Sequence, residues 1–153
     1  MCMMLYIGSD NEFVEWQGEL EWETETLIHV GDIPKVYAGV KKHFTKKYQY
    51  AVSLKTGMGM GCACGFGFDE ADDIDDITQN DELNRRILGE IFDYIRKFVS
   101  GGSCELVSCW TGDENKDCEY SETISINDFN WKGKFSISQP QDVFKGKLMK
   151  IFK

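Results

Sequence analysis

The sequence predicts an α+β fold: a mainly antiparallel sheet of five to seven strands, with one long amphipathic helix at about 80–100 packed on one face. Three observations carry this. Residues 83–99 hold Leu83, Ile87, Leu88, Ile91, Ile95, Phe98 and Val99 on one stripe of a 3.6-residue period. Short segments with period-two or continuously apolar character fall on both sides of that stripe. Turn-forming pairs such as Asp10-Asn11, Gly112-Asp113 and Asn127-Asp128 separate several of them. At 153 residues, with no internal repeat or low-complexity linker, the chain reads as a single domain, 1–153.

The elements follow in order. Cys2–Ser9 is apolar on both sides of the pleat, so it is expected near the sheet centre. Residues 19–30 alternate, with Glu19, Glu21, Glu23 and Glu25 facing one way and Leu20, Trp22, Ile28 and Val30 the other. Four glutamates on one face oppose pairing with other chains, and Gly31-Asp32 is expected to end that strand. Pro34–Phe44 predicts a short helix with Val36, Tyr37, Val40 and Phe44 inward, weakened by Gly39. Tyr48–Leu54 is a strand with Tyr48, Tyr50 and Val52 on one side. Asn80 caps the long helix, with Asp81 and Glu82 beside its positive end, and Gly101-Gly102 stop it. Cys104–Trp110, Glu119–Ile126, Phe135–Ser138 and Lys147–Lys153 supply the remaining strands.

Charge is unevenly distributed. The net charge is −9. Residues 10–32 hold eight acids and no Lys or Arg, and residues 69–82 hold eight more without a base. Residues 35–55 hold six lysines and no acid, and residues 132–153 hold six lysines and one acid. The expectation is that acidic and basic segments become neighbours and neutralise one another. A nucleic-acid partner or an anionic membrane is disfavoured by the sum. The apolar run Met3–Ile7 has no preceding basic residue and no cleavage site after it, so a cytoplasmic chain with six free thiols is expected.

The most unusual stretch is Gly57–Phe68, with five glycines and the pair Cys62 and Cys64. It is no dinucleotide fingerprint, because Gly57, Gly59 and Gly61 give G-x-G-x-G. It is no Walker loop, because Cys62 follows Gly61 where Lys is required. The acidic run Asp69–Asp76 lacks the central glycine of a calcium loop. On an extended backbone Cys62 and Cys64 point the same way. They suit three roles: small apolar packing, a zinc-like metal site completed by Cys2, Cys109 or His43, or a redox or nucleophilic thiol. A Cys-His-Asp arrangement of Cys62 or Cys64 with His43 and Asp113 needs tertiary placement.

Cys2-Met3-Met4-Leu5-Tyr6, His43-Phe44, Tyr48 with Tyr50, Gly61-Cys62-Ala63-Cys64-Gly65-Phe66 and Ser108-Cys109-Trp110-Thr111-Gly112-Asp113 resemble the motifs of a family of small, uncharacterised bacterial proteins. The chain departs from that pattern at residues 11–26 and at Gly57-Met58-Gly59-Met60. The resemblance implies a domain assignment and no activity. The residues themselves lead to two expectations: a non-catalytic domain that binds another protein, such as an antidote-type inhibitor, or a thiol protein centred on Cys62 and Cys64.

Overall fold

The structure is a computed structural model, and it describes residues 3–12, 28–54, 93–100, 102–127 and 146–153. Six strands form one sheet: β1 (Met3–Ser9), β2 (Ile28–Asp32), β3 (Tyr48–Leu54), β4 (Ser103–Trp110), β5 (Cys118–Ser125) and β6 (Gly146–Phe152). Their spatial order is β2-β3-β1-β4-β6-β5. All pairs are antiparallel except β5 with β6. A 3-10 helix spans Lys35–His43, and residues 93–100 form an α-helix, α1. Among the described residues no helix is long and apolar enough to cross a membrane.

β1 lies inside the sheet, between β3 and β4, and Leu5 to Ser9 are all buried. That matches its apolar character on both faces of the pleat. β4 is its other central partner, in the register Met4↔Cys109, Tyr6↔Val107 and Gly8↔Glu105. Period-two alternation therefore splits the buried residues between two layers. One layer holds Leu5, Ile7, Val30, Val52, Cys104, Leu106, Ile124 and Ile151. α1 buries Tyr94, Ile95, Phe98 and Val99, an i, i+1, i+4, i+5 stripe suited to cover such a face. Gly102, at φ +146°, ends the helix and donates its N–H to the Val99 carbonyl at 2.9 Å. The other layer, under the 3-10 helix, gathers Tyr6, Ile33, Val40, Phe44, Val107 and Cys109.

Two expectations change. Gly31 and Asp32 continue β2, pairing with Ala51 and Tyr50, instead of ending it. Val36 is 76% exposed rather than inward. The cause is the helix type. With three residues per turn, positions 37, 40 and 43 form the inward row and Val36 falls outside it. Of the acidic strand expected at 19–30, the structure describes Ile28 onward. Residues 80–92 of the expected helix, the strand at Phe135–Ser138 and the glycine-rich stretch lie outside the described residues. One meeting of the expected kind, between the acidic segment 10–32 and the basic segment 35–55, occurs at Lys46–Asp10 (2.6 Å); Lys42 instead pairs with Asp117, outside those segments, at 3.0 Å.

Candidate functional site

β4 leads into a tight turn at residues 111–117. Gly112 has φ +96°, a conformation that a side chain disfavours. The Asp113 N–H donates to the Trp110 carbonyl at 2.9 Å, closing the turn. Glu114 then folds back under the 3-10 helix and is buried. One of its carboxyl oxygens accepts from the Gly112 N–H at 2.9 Å, and the other accepts from the Tyr6 hydroxyl at 3.4 Å. Burial of the phenol, with Cys109 and Glu114 beside it, pushes the Tyr6 pKa far above its ordinary value.

The 3-10 helix closes this layer. Val40 is fully buried, and Tyr37, Met4, Ala51, Cys118 and Leu148 pack around the cluster. Gly39 lets the turn approach, because a Cβ there would overlap the Asn115 side chain. Lys42 donates to the Asn115 carbonyl and to Asp117, fastening helix to turn. Its ammonium holds the exposed Asp117 carboxyl below its ordinary range. At the other end, Glu105 is a charged residue in a central strand, yet it is 2% exposed. It accepts from the Thr45 N–H at 2.8 Å and the Thr45 hydroxyl at 2.6 Å. Such a buried carboxylate is tolerated because it is hydrogen-bonded.

The thiols follow from this setting. Cys104, Cys109 and Cys118 are free cysteines. Burial pushes Cys104 up to about 12. Cys109 is also pushed up to about 12, by burial first and then by Glu114. Burial raises Cys118 as well, with Asp117 adding to it. A protonated thiol is a poor nucleophile and a poor ligand. Cys104 and Cys109 are buried and pack as small groups, and half-buried Cys118 borders the cluster around Cys109.

The expected ligands divide accordingly. Cys62, Cys64 and Cys2 lie outside the described residues. Cys109 is sealed beneath the 3-10 helix, and His43 lies at that helix's last turn, near Asp117. Asp113 is engaged by Lys116 at 2.7 Å. Among the described residues no group of three His, Cys, Asp or Glu side chains is placed to hold a metal. The buried carboxylates Glu105 and Glu114 escaped the sequence reading. Glu105 left a readable signal, a lone charge within the apolar run Cys104–Trp110. Glu114 left none, because its burial depends on Tyr6, 108 residues away.

The outer side of the 3-10 helix is different in kind. Lys35, Val36, Ala38 and Lys41 are all exposed there. Fold and site together define a small α+β domain with a sealed, thiol-lined layer on one side of its sheet and a lysine-bearing helix over it. Comparisons with family models, with curated proteins and with solved structures find no match.

Proposed function

We propose that this chain is a non-catalytic, cytoplasmic binding domain that acts by docking another protein, in the manner of an antidote-type inhibitor. The observation that carries this reading is the contrast across the 3-10 helix. Its inner row covers Cys109, whose thiol burial pushes up to about 12. Its outer side presents Val36, 76% exposed, among lysines on a helix anchored at Gly39, Val40 and Lys42. A large apolar side chain held in water on a firmly seated element suits an interface. The family resemblance stands beside this as a proposal. It is supported by two of its motifs running side by side in β1 and β4, with Met4 opposite Cys109.

The competing reading is a thiol or zinc-like site at Cys62 and Cys64, with Cys2, Cys109 or His43 as further ligands. Thiol titration and metal analysis of anaerobically purified protein separate the two. The expected result is six free thiols in denaturant and no stoichiometric metal. Bound zinc at one equivalent, with a melting temperature that falls on chelation, would overturn the binding-domain reading. In parallel, a partner captured by the wild-type chain should be lost by Val36→Asp with folding intact.

A further inference from the structure

We infer that the outer row of the 3-10 helix, Lys35–Ala38–Lys41 with Val36 beside it, is a docking surface for an extended acidic peptide segment of a partner protein. This rests on the binding-domain reading and names the chemistry of its partner.

The geometry comes from the helix type. In a 3-10 helix residues i and i+3 eclipse, so Lys35, Ala38 and Lys41 form one straight row. At about 2.0 Å rise per residue, the two lysine positions lie roughly 12 Å apart. All three residues are exposed, and Val36 is exposed next to the row. Among the described residues neither Lys35 nor Lys41 has an ion pair, whereas Lys42 and Lys46 do. Among the described residues, the lysines of this helix without an ion pair are therefore the outward ones.

Local stability does not account for the row. Lys41 is in the last turn, where the helix dipole favours a cation. Lys35 is in the first turn, where the dipole disfavours one, and that turn holds no acid. Pro34 at the cap makes no side-chain hydrogen bond either. A cation at the wrong end of a helix, with no ion pair among the described residues, suits an anionic partner by charge complementarity.

The spacing selects the occupant. In an extended peptide alternate side chains share one face, and residues i and i+4 stand roughly 13 Å apart. A Glu-x-Leu-x-Glu segment thus carries two carboxylates at the separation of Lys35 and Lys41. Its central leucine falls over Ala38 and Val36. Duplex nucleic acid fits less well. Its phosphates would meet an apolar centre and the repulsion of a strongly acidic chain.

The test is fluorescence anisotropy with the full chain and a labelled Ser-Glu-Ser-Leu-Ser-Glu-Ser peptide. Controls are the same peptide with Gln for Glu and a labelled oligonucleotide. Binding should need the glutamates and weaken as salt rises. The double variant Lys35→Glu/Lys41→Glu should lose affinity about tenfold or more, as like charges then face each other. A Ser-Lys-Ser-Leu-Ser-Lys-Ser peptide should bind that variant and not the wild type. Its melting temperature should match wild type, because the exchanged residues are exposed. Equal binding of the Gln peptide, retention by the variant, or tighter binding of the oligonucleotide would each overturn the proposal. If the peptide fails while partner capture remains sensitive to Val36→Asp, the acidic-peptide inference falls and the binding-domain reading survives.

Discussion

The two faces of the sheet are held by different forces. The face that α1 suits is largely hydrocarbon: Leu5, Ile7, Leu106 and Ile151 are each at most 2% exposed. The face under the 3-10 helix mixes aromatic and aliphatic groups with two buried carboxylates, Glu105 and Glu114. It also depends on close approach, since a Cβ on Gly8 would sit 2.5 Å from the Phe44 ring. The first layer is mainly filled hydrocarbon, with the small polar groups of Ser9 and Ser108 in it, and the second adds hydrogen-bonded carboxylates to its apolar cluster. A thin nine-residue 3-10 helix supplies too little apolar area to seal a face alone. Glu105 bonded to Thr45, and Lys42 bonded to Asn115 and Asp117, fasten its C-terminal end as well.

That contrast can be broken most severely on the hydrocarbon side. Ile95 is fully buried, so Ile95→Asp places an unpartnered charge in an apolar layer. It should cost several kcal/mol or unfold the chain. A melting temperature within a degree or two of wild type would show that the stripe is not packed as described. On the polar side, Glu105→Ala removes the acceptor for both Thr45 donors. It should cost about 2 kcal/mol in urea unfolding, and Thr45→Ala, which keeps the N–H bond, about half of that. Equal costs would mean that the hydroxyl alone matters.

The thiols give one probe in each layer, Cys104 on one face and Cys109 on the other. Both are pushed up to about 12 from an ordinary 9.0. The folded state therefore holds these protons to higher pH than the unfolded chain does. Their contribution is intact below pH 9 and is lost as pH climbs from 9 towards 12. At pH 10 each thiol should cost roughly 1.4 kcal/mol. Urea melts at pH 8 and pH 10 should show this slope shrinking in Cys104→Ala and in Cys109→Ala. An unchanged slope in both would mean that the thiols are solvated. The smallest effect is expected from Tyr6→Phe. Its hydrogen bond to Glu114 is long, at 3.4 Å, and Glu114 keeps Gly112. A loss below about 1 kcal/mol is expected by thermal melting, and a larger one would make the phenol an organising contact.

What could be read from the sequence follows the same division. Apolar content and alternation depend on burial alone, so β1, β3, β4, β5 and β6 were legible to within a residue or two, as was the stripe of α1. The α+β class followed from those elements. Neighbour relations were not legible. Nothing in Glu119–Ile126 says that it pairs in parallel with β6, because a strand's period encodes its faces and not its partners. The rise per turn at Lys35–His43 was also hidden. Val36 and Tyr37 are both apolar, and only the three-residue period decides which of them faces water. Of the candidate site, Cys109 is buried under the 3-10 helix and His43 lies near Asp117, placements that depend on tertiary packing and leave no trace in the sequence period.

The position of β6 has a consequence for the order of assembly. This strand, residues 146–152, lies between β4 and β5, both of which precede it in sequence. During synthesis, residues 103–125 leave the ribosome with the flank of β4 open and β5 without its neighbour. Only after residue 152 emerges can three strands close together. Until β6 has emerged, β4 and β5 lack the described strand that joins them, and aggregation and chaperone capture compete with folding over that interval. Long-range pairing of this kind also slows the search for the native sheet. A chain stopped before Gly146 would lose more than one strand, because among the described strands β5 pairs only with β6.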